Sequence, residues 1–358
     1  MPEIPQRTPQ CPSLPPELWI RILTFNTSLV HLWTSCRHTS HTFLAYTEQV
    51  FAEHAIRNTF IDFHLEKYNL GGKSKRPEIP TSFSHFELGV KREDGGREKG
   101  KVVFKDKRRR SEIGGGKRKE YDRMMERWEG NVRGWRAEMP SFTISVDGMV
   151  SDTEIPELDI DISKREITFD WRRMYTLFFR EQALFHTLKQ CWHTETNAKI
   201  QANDARIAKN EKLGISDYPL PWAAAEIELR KQIRRKRLSD YYAENEEMLW
   251  AIASLKHFEN HGAAGGSGKA FRLNPDIPGA GLGERWYGSM NKVQELYLDE
   301  WSCMHRIDTK AEHAKGEEVF PRYSVPPPDL NEEVKREPVA YLMNGNAVGL
   351  GPRRVDFD

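Results

Sequence analysis

By residue type, the stretch best suited to handling phosphate is His261–Ala270, HGAAGGSGKA, since glycines followed by a lysine can cradle phosphate with main-chain N–H groups. With Gly268-Lys269 held in register, the leading glycine of such a loop falls on Ala263 and the magnesium-binding hydroxyl on Ala270. No apolar strand precedes the run to aim its amides, so it reads as a linker. Gly279-x-Gly281-x-Gly283 lacks the strand and the final spacing of a dinucleotide fingerprint and reads the same way. Metal-capable side chains occur in Cys36-x-His38-x-x-His41, Cys191-x-His193 and Cys303-x-His305. Residues two apart on a helix diverge, and only His38 and His41 have the spacing of a helical ligand pair, with no further ligand near them in sequence. Neither a metal nor a cofactor is expected. The chain has no GxSxG elbow and no HExxH pair, and it lacks the paired CxxC units of a RING. The reading is of a protein that is not an enzyme.

Two basic runs could meet phosphate, Lys105–Arg110 and Arg234–Arg237. The first lies among glycines and mixed charge, as solvated loops do; the second is diluted by Glu226, Glu228 and Glu244 on the same helical stretch. Both read first as solvated surface, and nucleic acid is disfavoured as a partner.

The stretch from Leu14 to Phe51 has a more specific order. In Leu14-Pro15-Pro16-Glu17-Leu18, Pro15 is held out of the helix by Pro16 and sits at the cap, while Pro16 takes the first helical position, where a missing N–H is harmless. Leu18, Trp19, Ile22 and Leu23 then recur at threes and fours and share a face flanked by Arg21 and Thr24, with Phe25 closing the helix. Asn26-Thr27-Ser28 can cap a second short helix bearing Leu29, Leu32, Trp33 and Cys36. A third carries Phe43, Tyr46, Val50 and Phe51 inward and Thr47, Glu48 and Gln49 outward, and is expected to continue to Asn58. Three such helices bury only a small core. Trp19, Leu23 and Trp33 are therefore expected to be covered by another polypeptide, because burying each large apolar side chain contributes about 1.5–3 kcal/mol.

This pattern resembles the F-box, the amino-terminal module of substrate receptors in SCF-type cullin ubiquitin ligases, in the LPPELW form of filamentous-fungal F-box-like proteins. The family's Leu-Pro-x-Glu-Leu is matched by Leu14, Pro15, Glu17 and Leu18, its Ile-Leu pair by Ile22 and Leu23, its mid-motif Leu by Leu32 and its late aromatic by Phe43. The second half departs from the family: Asn26-Thr27-Ser28 replaces a Leu-Pro-containing bend, and Thr39 and His41 stand where a Val and a basic residue are usual. The resemblance implies docking to a Skp-type adaptor through Leu14, Pro15, Leu18, Trp19, Ile22, Leu23, Leu32 and Trp33, with a cullin scaffold beyond the adaptor and a protein client of unstated identity.

The chain has 358 residues, 30% of them charged, with a formal net charge of +1. A mean hydropathy of −0.71 points to long exposed helices or unstructured segments. Near-neutrality excludes a global field toward nucleic acid or anionic membrane. The four cysteines are scattered, no run approaches the roughly 18 apolar residues of a membrane span, and the Pro-rich start lacks a signal-peptide core. An intracellular protein, cytoplasmic or nuclear and without membrane, is expected.

Alternating patterns predict strands at Phe60–Leu65, Phe83–Val90, Lys101–Phe104, Phe142–Val146, Leu158–Ile162 and Glu166–Phe169, with Asp147-Gly148 a turn, and a helix at Glu120–Trp135. From Trp171 the period is helical: one helix ends near Gly214, a second spans Pro221 to about Asn260, and a third spans Glu284–Ala314 with Trp286, Met290, Val293, Tyr297, Trp301, Met304 and Ile307 inward. The expected fold class is α+β, predominantly α. The expected order is a leader at 1–12, the F-box-like module at 13–58, a β-containing middle with charged loops at 59–170, a long-helix bundle or hairpin at 171–315 and a mostly disordered tail at 316–358. The function expected is a substrate-receptor adaptor of an SCF-type ligase. The alternative is a structural or nucleic-acid-associated helical protein.

Overall fold

Residues 14–68, 77–87, 100–113, 117–214, 217–261 and 287–311 are described by the computed structural model. The expectations for the leader, the tail, the glycine links at 262–268 and 279–283, Trp286 and the charged run at 91–99 lie outside them. The fold is α+β and predominantly helical, with one seven-stranded antiparallel sheet among the described residues. The chain divides into two compact units, the first made of 1–186 with 305–315 and the second of 187–304 with 316–358.

Three short helices open the first unit: α1 (Pro16–Thr24), α2 (Leu29–Thr34) and α3 (His41–Glu53). Pro15 is the extended N-cap of α1, and Pro16 is its first helical residue. Ser28 and Ser40 cap the next two, each hydroxyl accepting a main-chain N–H at 3.2 Å, from His31 and Phe43. A 3-10 turn at Ala55–Asn58 replaces the expected continuation of α3.

The strands are β1 (Thr59–His64), β2 (Glu78–Phe86), β3 (Val102–Lys105), β4 (Phe142–Val146), β5 (Met149–Ser151), β6 (Asp159–Asp161) and β7 (Glu166–Phe169), in the order β5-β4-β1-β2-β3-β7-β6. β2 starts before the expected Phe83 because it tolerates Pro80, which is exposed and sits opposite Asp62. The three-residue β5 is too short to show alternation in sequence. It pairs through Val146↔Met149 around Asp147-Gly148, whose φ values of 49° and 80° are those of a two-residue hairpin turn.

Side chains alternate across β1. Thr59, Ile61 and Phe63 face the main core, where Phe63 meets Trp128 of α4 (Arg118–Arg133) at 5.6 Å between ring centroids. Thr59 Oγ1 lies 2.7 Å from the hydroxyl of Tyr175, on the first turns of α5 (Trp171–Ala208). Trp171, Met174, Tyr175, Phe178 and Phe179 therefore belong to this core, whereas the sequence pattern assigned Trp171 onward to the bundle. On the opposite face His64 is buried beside Thr143, at 3.2 Å, and Glu78, at 3.5 Å. The end of α8 (Tyr287–Lys310) packs here: Arg306 donates to the carbonyls of Pro140, Glu66 and Lys67, and Lys310 to Glu78 and Asp62.

In the second unit the helix expected from Pro221 to about Asn260 is two helices, α6 (Trp222–Tyr241) and α7 (Glu246–His261). The break has a local cause: Asn245 Oδ1 accepts the N–H of Met248 at 3.0 Å and so begins a new helix. The inward face of α8 also differs from the apolar stripe expected of it. Asp299, Glu300 and Ser302 are buried, while Trp301 is 44% exposed. Arg235 of α6 donates to both Glu300 and Glu259, and Lys231 pairs with Glu259 and Glu228, so charge rather than apolar packing joins these helices at this level.

Removing one partner of such a pair deprives the other of a counter-charge. Glu300→Ala leaves Arg235 with Glu259 alone and is expected to lower the stability of the second unit by about 1–3 kcal/mol in urea unfolding. The joint replacement Arg235→Met with Glu300→Leu should lose much less; equal losses would show that the ion pair is not what Glu300 contributes.

Candidate protein-docking face

α1 is apolar over most of its circumference, with Glu17, Arg21 and Thr24 grouped on a polar side, and its two apolar sides have different fates. At roughly 100° per residue, Trp19, Ile20 and Leu23 form one side, and Leu18, Ile22 and Phe25 the other. The first side turns inward: Leu23 is buried, Ile20 packs on the core and Trp19 meets Phe43 at 5.1 Å between centroids. The second is open, with Leu18 45%, Ile22 48% and Phe25 75% exposed. Leu14 is half-buried and Pro15 exposed at the start of the same helix. The stripe of Leu18, Trp19, Ile22 and Leu23, read as one face, is thus two, because it spans more of the circumference than one neighbour can cover.

The expectation that another polypeptide covers Trp33 and Leu23 is corrected by the chain itself. Trp33 is 2% exposed and Leu32 1%. The indole ring lies 4.6 Å from Phe51, 5.4 Å from Tyr175, 6.1 Å from Trp171 and 6.2 Å from Phe179, and its N–H donates to Thr176 Oγ1 at 3.3 Å. The first turns of α5 therefore close over Trp33, which short-range pattern left uncovered. Of the eight predicted docking residues, Leu23, Leu32 and Trp33 are core, Trp19 is half-buried against Phe43, and Pro15, Leu18 and Ile22 remain accessible together, with Leu14 half-accessible. Phe25, assigned only to closing the helix, joins them. Its signal was a spacing of seven from Leu18 and three from Ile22.

A charged clamp holds this arrangement. Glu48, expected on the outer face of α3, accepts hydrogen bonds from Arg37 at 2.7 Å and from Arg172 at 2.6 Å, and those guanidinium groups lie over Trp33 and Trp171. Thr47, also expected outside, is fully buried. Burial alone raises the Glu48 pKa; the hydrogen bonds and charges of Arg172 and Arg37 outweigh it and hold the carboxyl below its ordinary range.

Cys36 and His38 lie on a 3-10 turn and His41 opens α3. Among the described residues no three His, Cys, Asp or Glu side chains converge as metal ligands. The basic runs are largely engaged within the chain. Lys105 pairs with Glu166, Lys107 donates to the Phe83 carbonyl and Arg108 grips the buried Asp106. In the other run Arg234 is buried, Arg235 is paired as described and Lys236 meets Asp240. No protein-family model, curated protein or solved structure matches the chain.

A depressed folded-state pKa gives stability that is full above the unfolded value of 4.5 and is lost as pH falls through the folded value. Glu48→Gln is expected to destabilise the first unit by about 1–3 kcal/mol at neutral pH. In urea titrations the gap between parent and variant should narrow below pH 4.5. A gap unchanged down to about pH 3 would contradict the clamp.

Proposed function

We propose that this chain is a non-enzymatic substrate receptor whose first helix docks, by its open apolar side, into the Skp-type linker of a cullin ubiquitin ligase. The observation that carries the reading is the joint exposure of Leu18, Ile22 and Phe25 on a helix whose other side is already anchored in the core. Three large apolar side chains in a row on a pre-formed helix suit the helix-in-groove mode, in which residues at i, i+4 and i+7 enter one hydrophobic groove. The match of Leu14, Pro15, Glu17, Leu18, Ile22 and Leu23 to the F-box opening supports the same partner. In this role the receptor supplies proximity, raising the effective concentration of client lysines near a thioester formed elsewhere. Its site of action is intracellular, cytoplasmic or nuclear; no described helix is long and apolar enough to cross a membrane. The second reading, a nucleic-acid-associated helical protein, is weakened by the internal engagement of both basic runs.

Because Leu18 and Ile22 are exposed, replacing both by Asp should change folding stability by less than about 1 kcal/mol. Loss of their burial in a groove should weaken capture of the Skp-type adaptor by roughly a hundredfold or more. Capture should also depend little on salt, whereas phosphate binding falls steeply with it. Undiminished capture by a folded Leu18→Asp, Ile22→Asp protein would refute the docking claim.

A further inference from the structure

The sheet face opposite Tyr175 carries a cavity of about 530 Å³ in the first unit. It is lined by Asn58, Phe60, Asp62, Ser145, Asp147 and Lys310, among others. The strand register explains why a hollow forms here: the cross-strand partners of Phe60 are Ser82 and Ser145. Two small hydroxyl residues beside one large ring leave the ring standing in open space, and Phe60 is 48% exposed. The tight turn at Asp147-Gly148 forms part of the lining, and Asp147 is exposed.

The electrostatics of this hollow favour a cation. Its one ammonium, that of Lys310, is already held by Asp62 at 3.1 Å and Glu78 at 2.7 Å. Burial raises the Glu78 pKa, but the neighbouring His64 and the hydrogen bond and charge of Lys310 reverse this and hold it at about 2, so its carboxylate stays charged. Burial lowers the His64 pKa against the opposing pull of Glu78, and Arg306, whose guanidinium is taken up by three main-chain carbonyls, lowers it further. Among the described residues, no hydrogen bond or ion pair engages the Asp147 carboxylate, the Ser145 hydroxyl or the Asn58 amide oxygen, so three open acceptors line the same hollow as an exposed aromatic ring.

We propose that this pocket takes the arginine side chain of a peptide partner. A guanidinium is planar and weakly hydrated; it stacks on an aromatic face while its N–H groups point outward in the ring plane. Phe60 supplies the face, Asp147 the counter-charge, and Ser145 and Asn58 the remaining acceptors. An ammonium offers no plane to stack, and an anion meets carboxylates and an engaged lysine. The site is independent of the α1 face; in a substrate receptor it would hold a basic segment of the client.

The test is an amide-resolved NMR titration of the full chain with N-acetyl-arginine N-methylamide, alongside the lysine, citrulline and aspartate analogues. The arginine compound should give saturable shifts at Ser145, Asp147 and Gly148. Phe60→Ala and Asp147→Asn should each weaken binding roughly fivefold or more, and Ser145→Phe, which fills the hollow, should abolish it. Asn accepts the positive φ of position 147, and a spectrum otherwise unchanged shows each variant to be folded. Absence of binding, equal binding of the lysine or citrulline compound, preference for the aspartate compound, or indifference to Phe60→Ala would overturn the proposal.

Discussion

The burial of the Trp33 indole under the first turns of α5 is the constraint on which the amino-terminal half depends. Phe51, Trp171, Tyr175 and Phe179 surround the ring, and Thr176 takes its N–H, so one side chain of α2 fixes the position of α5 against the first three helices. Aromatic pairs at tilted and edge-on angles add about 0.5–1.5 kcal/mol each beyond the area they bury. The Tyr175 hydroxyl carries the connection to Thr59 at the head of β1, and Glu48 joins Arg37 to Arg172 along the rim. A module of three short helices, too small for a self-sufficient core, thereby becomes part of a larger one. With its inner side committed, α1 can present Leu18, Ile22 and Phe25 outward without relying on a partner for its own stability.

The second unit solves a different problem by different means. Its helices bury Arg234, Asp299 and Glu300 along with Leu229, Ile233 and Leu255. A buried ion pair is a weak source of stability but a strong penalty on misalignment, since a helix shifted by one turn leaves its charge without a partner. We read the Arg235 bridge to Glu259 and Glu300 as setting register among α6, α7 and α8. The same logic on the sheet, where Lys310 joins Asp62 and Glu78, fixes the last turn of α8.

Local signals were legible in the sequence wherever a residue type has one physical use. Pro15-Pro16 marked the start of α1, Ser28 the cap of α2, Asp147-Gly148 a hairpin, and alternation placed β1, β3, β4 and β7 to within a residue or two. What was not legible depends on which neighbours arrive from far along the chain. Whether Trp33 faces a partner or its own α5 is decided by Tyr175 and Phe179, over a hundred positions away. Trp301 fits an inward stripe by spacing and is exposed, while Asp299 and Glu300 occupy the interior, Glu300 with a cationic partner, Arg235, that no local pattern reveals. The exposed apolar side of α1 was half visible: the apolar run from Leu18 to Phe25 was readable, but that Leu18, Ile22 and Phe25 stay open while Leu23 is buried required knowing which side of α1 the core takes. The hollow at Phe60 follows from the serines opposite it in register, which a single strand cannot show.

The most direct test of this account is amide hydrogen exchange followed by mass spectrometry on the full chain across a urea series. If α5 closes the amino-terminal helices into the sheet unit, peptides covering α2, α3, β1 and the first turns of α5 share one opening free energy and one dependence on denaturant. Exchange of residues 16–53 at low urea, while β1 and residues 171–179 stay protected, would mean the helices stand apart as a separate module, and the account would be wrong.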